Sequence, residues 1–226
     1  MLSLNPQFRK TTGAFFELLF VITVGFGVFI YSATQSIALR DKGVIPTYND
    51  TDFTGILLYE IIALSLIALF LKYRKWTISD FNLDFRIAYL LTALILVFIR
   101  NILSYSGTKL LLTFDIAPPS VNFDTGLFSI VSIILINSFY EELLLIGYIF
   151  KRFKNCHPLL PLTFSLLLRV SFHTYQGWGM LPSVITLGLV LGIYYQKYQK
   201  LGPVILAHAI GNLFNFLNYY HNWLSF

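Results

Sequence analysis

The chain has 226 residues, of which 56% are hydrophobic and only 12% charged, about half the ~25% charge usual in soluble globular chains. So few charges cannot cover a water-facing surface. With a mean hydropathy of +0.69 the bilayer is the expected solvent, which excludes a soluble enzyme, a nucleic-acid binder and a disordered chain, and the net charge of +5 reads as loop-orienting bias.

Arg9 and Lys10 precede an apolar run that extends from Ala14 past Ile30. A secretory signal has a core of only ~7 to 15 residues, so the run predicts a retained first span. Apolar content predicts seven spans in all, over residues 14–38, 53–71, 87–110, 126–150, 159–172, 181–195 and 203–220, most of them near the ~17 to 25 residues a bilayer requires. The fifth and sixth are short. Gly177, Gly179 and Pro182 between them predict a tight turn or a broken helix lining a cavity. Residues 73–85, with Trp76, Ile78, Phe81 and Leu83 among charges, predict a stretch lying along the cytoplasmic interface. Cys156 is the only cysteine, and with His157 alone beside it it forms neither an internal disulfide nor a zinc site.

Cytoplasmic loops accumulate Lys and Arg. With the N-terminus inside, the cytoplasmic segments hold eleven basic residues: Arg9, Lys10, Lys72, Arg74, Lys75, Arg86, Lys151, Arg152, Lys154, Lys197 and Lys200. The exterior segments hold three, Arg40, Lys42 and Lys109, together with Asp41, Asp50, Asp52, Asp115 and Asp124. The expected fold is therefore all-α: a polytopic transmembrane helical bundle of about seven spans with a cytoplasmic N-terminus. It forms a single membrane domain over residues 1–226.

Glu17, Glu60, Arg100, Glu141, Glu142, Arg169, His173 and His208 fall within or beside these spans. A charge at the bilayer centre costs at least ~2.5 to 3.5 kcal/mol on insertion scales, so each needs a partner, a water-filled cavity or a function. Glu17 is close enough to its span end to reach the interface, and Glu60 and Arg100 are expected to pair. The adjacent carboxylates Glu141 and Glu142 repel each other in low dielectric, and nothing structural calls for that. Asn137 and Ser138, four residues earlier, share their two helix faces. His208 and Asn212 are spaced i, i+4, with Asn215 continuing their face, and Arg169 and His173 repeat the spacing.

Two carboxylates, two histidines and an amide from three spans are the parts of a hydrolytic site. A desolvated carboxylate acts as general base toward water, and a neutral histidine and an Asn amide donate to the oxyanion of a tetrahedral intermediate. No serine or threonine stands out as an activated nucleophile, and the cysteine is remote in sequence.

These residues resemble the CAAX protease and bacteriocin-processing family of intramembrane proteases, also called the Abi family and related to type II CAAX prenyl endopeptidases. That family carries Glu-Glu-x-x-x-Arg on one span, Phe-x-x-x-His on the next and His-x-x-x-Asn on a later one. Here the first motif is Glu141-Glu142-Leu143-Leu144-Leu145-Ile146, the second Arg169-Val170-Ser171-Phe172-His173 and the third His208-Ala209-Ile210-Gly211-Asn212. The match lies within the motif-bearing half, residues 126–221. Ile146 stands where the motif has arginine, and Arg169 where it has phenylalanine.

The resemblance implies that Glu141 is the base activating water, with His173 orienting that water or supporting the base. It assigns the oxyanion hole to His208 and Asn212 and leaves Glu142 a secondary role. Arg169 is the supporting residue, expected within hydrogen-bonding distance of Glu142 or Glu141 in place of the cation missing at Ile146. No cofactor is expected. Two histidines and a glutamate are also a three-ligand zinc set, the rival chemistry, but H-E-x-x-H is absent and the resembled family is glutamate-dependent.

The expected function is that of an endopeptidase in a bacterial plasma membrane that cleaves a membrane-associated peptide or protein, in peptide maturation or bacteriocin self-immunity. Its partners are that substrate and the lipid bilayer, with no nucleic acid. The alternative is a catalytically impaired membrane regulator or adaptor of the same fold. A proton-coupled transporter would also bury carboxylates and histidines, but no internal repeat is found. The site is expected near mid-membrane or slightly to the cytoplasmic side.

Overall fold

The computed structural model describes residues 6–40, 42, 44, 47–116 and 122–221. Each of the seven predicted spans falls on one helical rod. These are α1 (Pro6–Arg40), α2 (Asp50–Tyr73), α3 (Tyr89–Leu112), a composite fourth rod, α6 (Leu159–His173), α7 (Leu181–Tyr198) and α8 (Leu201–His221). The fourth rod runs from α4 (Leu127–Glu142) through a π-helical turn (Leu143–Tyr148) into α5 (Ile149–Arg152). Five rods are long and apolar enough to cross a membrane: α1, α2, α3, the fourth rod, and α7 with the short turn before it. With 15 residues, α6 extends only ~22 Å at 1.5 Å per residue.

The ends of these rods follow local chemistry. Asn49 caps α2: its side chain accepts from Thr51 N at 2.8 Å and Asp52 N at 3.2 Å, while Asn49 N donates to Asp52 Oδ2 at 2.9 Å. This reciprocal box satisfies donors that helix geometry leaves orphaned. Between α6 and α7 the chain makes two 3₁₀ turns, Thr174–Gln176 and Trp178–Met180, separated by Gly177 at φ 83°. Glycine alone adopts that conformation without steric cost. Gly192 faces Leu162 and Gly188 faces Leu166, so α6 and α7 run antiparallel and the stretch is a turn between them, whose Tyr175, Gln176 and Met180 line a cavity.

The fourth rod is the centre of the bundle. In its most apolar stretch 61% of residues are buried inside the protein, against 22% for α1, α2 and α3. Those three helices instead expose Phe16, Leu58, Ile62, Leu69, Leu91 and Phe98, apolar side chains suited to lipid.

Residues 73–85 include a 3₁₀ turn, Ile78–Phe81, that closes one end of the bundle. Trp76 packs on Tyr148 with ring centroids 5.0 Å apart, and Asp80 pairs with Lys151 at 2.8 Å. That ammonium, with further hydrogen bonds from Thr77, holds the Asp80 carboxyl down at about 2.

Three observations correct or extend the sequence expectations. Glu60 and Arg100 do not pair: Glu60 Oε1 accepts from Asn137 Nδ2 at 2.6 Å, and Arg100 donates to Ser183 Oγ and to Asn101 Oδ1. α2 packs on α1 and α4 whereas α3 packs on α7 and α8, so the two side chains meet different helices. Glu17 is buried within the protein, accepting from Arg74 Nε at 2.9 Å and Tyr148 Oη at 3.3 Å. Last, two short strands, β1 (Thr47–Asn49) and β2 (Asn122–Asp124), pair in parallel with Tyr48 opposite Phe123. Three-residue strands leave no period long enough to read from sequence.

Candidate active site

The π-helical turn begins immediately after Glu142. Such turns add a residue to one helical turn and occur often at functional sites. Here the turn is packed on all sides: Leu144, Leu145, Ile146, Gly147 and Tyr148 are all buried. Ile146 belongs to the apolar core, so the position that carries the motif arginine in the resembled family is aliphatic in both residue and surroundings.

The missing cation comes from α6. Arg169 is fully buried. Its Nη1 donates to Glu141 Oε2 at 3.1 Å and its Nη2 to Glu142 Oε1 at 2.7 Å. The fork of the guanidinium thus spans two carboxylates, a geometry that lysine's point charge cannot reproduce. Space for it is made by α7: a Cβ on Gly188 would lie 3.5 Å from both Cδ and Nε of Arg169 and 2.9 Å from Leu166 Cδ1.

The two glutamates are then distinguished by their surroundings. Glu142 is fully buried, and its Oε1 also lies 2.6 Å from His208 Nδ1. A carboxylate oxygen only accepts, so His208 donates through Nδ1. Glu141 instead reaches the wall of a cavity of about 890 Å³, which His173, Asn137 and Asn212 also line. The far end of this cavity is built from Tyr48, Asp52 and Phe123, at the β1–β2 pair.

His173 is oriented by its own helix: Nδ1 lies 2.9 Å from the carbonyl oxygen of Arg169. The carbonyl accepts, so Nδ1 carries the hydrogen and Nε2 of the neutral ring keeps its lone pair. That leaves an acceptor rather than a donor.

All six residues singled out in sequence thus lie in or directly behind one site. Glu141, His173 and Asn212 face the cavity, while Glu142, Arg169 and His208 form the layer behind. Ligand atoms of Glu141, Glu142 and His208 lie within 4.8 Å of one another, close enough for a cation. The set differs from two histidines and one glutamate, and the Arg169 guanidinium already binds both of its carboxylates. The mouth residues Tyr48 and Phe123 were not singled out, because nothing local marks a loop tyrosine or phenylalanine as lining a distant cavity.

Residues 123–214 match the family described as type II CAAX prenyl endopeptidase Rce1-like, in agreement with the resemblance drawn from the motifs. The matched segment runs from β2 into α8 and contains Glu141, Glu142, Arg169, His173, His208 and Asn212, whereas Tyr48 and Asp52 of the cavity wall precede it. Neither the curated proteins nor the solved structures yield a match.

Proposed function

We propose that the protein is an intramembrane, glutamate-dependent endopeptidase that cleaves a membrane-associated peptide or protein, as in peptide maturation or bacteriocin self-immunity, in a bacterial plasma membrane. The observation that carries this reading is that Glu141 and His173 line the same cavity while Arg169 holds Glu141 by one oxygen only. A water between them would donate one hydrogen to the free oxygen of Glu141 and the other to His173 Nε2. Its lone pair is then directed at a bound carbonyl carbon. As the C–O bond forms, Glu141 takes the proton, and it returns that proton to the departing amine.

Asn212 is the amide suited to donate to the oxyanion, because it faces the cavity. His208, hydrogen-bonded through Nδ1 to Glu142, is held by that carboxylate in the layer behind the cavity. In this scheme Glu142 and Arg169 are positioning residues. Arg169 also supports the metal-free reading, since a guanidinium and a divalent cation on the same two carboxylates would repel each other.

The test is hydrolysis of a quenched fluorogenic decapeptide library by the protein in lipid vesicles. Glu141→Gln should keep the fold and lower turnover about 10² to 10⁴-fold, the usual loss for a general base, and chelators should leave the wild type active. Chelator inhibition reversed by zinc would establish the metalloenzyme instead. A non-catalytic regulator, the reading that the aliphatic Ile146 favours, would bind peptides from the library and release them intact.

A further inference from the structure

Among the described residues two buried acidic side chains are left unused by this scheme: Glu17, which is paired with Arg74, and Glu60, which has no cation. Glu60, on α2, is fully buried, and Arg100, its expected partner, is bound elsewhere. Its Oε1 accepts from Asn137 Nδ2 at 2.6 Å, and its Oε2 is buried without a hydrogen-bond partner. Among the described residues no basic side chain pairs with it. Holding a carboxyl group in this position is costly, because a buried polar atom without a partner loses its hydration. A purely structural contact between α2 and α4 would be made more stably by an apolar residue.

Asn137 is a different case. It is half-buried and lines the cavity, on the same face of α4 as Glu141 and four residues before it, ~6 Å along the helix axis. A primary amide has two N–H hydrogens and one carbonyl oxygen. Glu60 takes one N–H and so fixes the plane and the end-for-end orientation of the amide. One N–H and the carbonyl oxygen remain. A donor and an acceptor on one amide group suit the C=O and N–H of an extended polypeptide backbone, whatever its side chains.

We propose that Asn137 binds the backbone of the substrate about one helical turn from the reacting carbonyl, toward the mouth of the cavity, and that Glu60 is the residue that positions it. The proposal deepens the endopeptidase reading and rests on it for the identity of the ligand as polypeptide. The site reads backbone, so it confers tolerance of sequence. It also requires that the substrate enter unwound, because a helical segment has its C=O and N–H groups already paired.

The experiment measures binding separately from hydrolysis. A fluorescein-labelled decapeptide is selected from a random library by affinity for the full-length Glu141→Gln protein in detergent micelles, and its Kd is measured in that background. Asn137→Ala should raise Kd about 3- to 10-fold, the value of one or two hydrogen bonds. Glu60→Leu, which removes the acceptor and fills the space with apolar atoms, should raise it similarly. Glu60→Gln should restore the wild-type Kd, because its amide oxygen accepts from Asn137 as the carboxylate does.

The double variant Glu60→Leu/Asn137→Ala should bind no more weakly than Asn137→Ala alone, because Glu60 acts only through Asn137. The proposal is overturned if Glu60→Leu leaves Kd unchanged, or if its effect adds in full to that of Asn137→Ala. Melting temperatures measured on the same variants identify any that fail to fold. Failure of wild-type hydrolysis would overturn the protease reading while leaving these binding results to judge Asn137 and Glu60.

Discussion

Arg169 shows how one side chain sets the chemistry of its neighbours. Without it, Glu141 and Glu142 would be two adjacent buried carboxylates with no guanidinium between them, and breaking a buried ion pair by removing one partner typically costs ~3 to 5 kcal/mol. Arg169→Leu is therefore expected to lower both the melting temperature and the activity sharply, and Arg169→Lys to recover charge but little activity. Ile146→Arg supplies a test of opposite sign in two backgrounds. In the wild type it adds a second guanidinium to an apolar core that already has one, and stability should fall. In the Arg169→Leu background the same substitution offers a cation one turn from Glu142, whose Oε2 lacks a partner, and part of the loss should return. A double-mutant cycle of melting temperatures and turnover checks this, and equal effects in both backgrounds would rule out compensation.

At the scale of the element, the site depends on how closely α6 and α7 approach. Gly188 and Gly192 lie one turn apart on α7, and Cβ atoms there would meet Leu166 Cδ1 at 2.9 Å and Leu162 Cδ1 at 2.5 Å. Small residues at such positions let transmembrane helices pack backbone to backbone. Gly188→Ala meets only the movable end of a leucine, so a loss of ~1 kcal/mol is expected, at the low end for overpacking. Gly188→Val also reaches toward Arg169 Cδ and Nε and should displace the guanidinium. Its activity is then expected to fall much further than its melting temperature, measured in detergent by turnover and thermal unfolding. A fully active Gly188→Val protein would show that Arg169 does not depend on this contact.

At the scale of the whole molecule, the two ends differ. Gly126 N donates to Asp50 Oδ1 at 3.1 Å, so the fourth rod and α2 start at the same end, where the cavity has its mouth. The fourth rod spans 26 residues, ~39 Å at 1.5 Å per residue, and ends in Lys151 and Arg152 at the opposite, basic end. From the bias of basic loops toward the cytoplasm, the mouth is expected to face the exterior. Cys156 is exposed beside the basic end and serves as a native reporter. A membrane-impermeant maleimide should label it in inverted vesicles and not in intact cells. With Cys156 replaced by serine, Asp52→Cys should show the reverse. Labelling of both positions from one side would refute this orientation.

The sequence by itself determined the all-α architecture and the rough position of each helical rod, and it anticipated the pairing of Arg169 with the glutamates. Each is a local or additive property. Apolar run length is summed along the chain, and i, i+4 spacing fixes which side chains share a face. The position of a cation is constrained wherever two adjacent carboxylates must be neutralised.

What only the tertiary structure decided is which of several equivalent partners each polar group meets. Glu60 and Arg100 looked complementary, yet one meets Asn137 and the other Ser183. His208 and Asn212 share a helix face, yet His208 turns to Glu142 and Asn212 to the cavity. Those outcomes depend on the rotation and tilt of whole helices. These in turn are set by contacts such as Gly188 against Leu166 and Gly107 against Pro182, between residues far apart in the chain whose meeting no local pattern encodes.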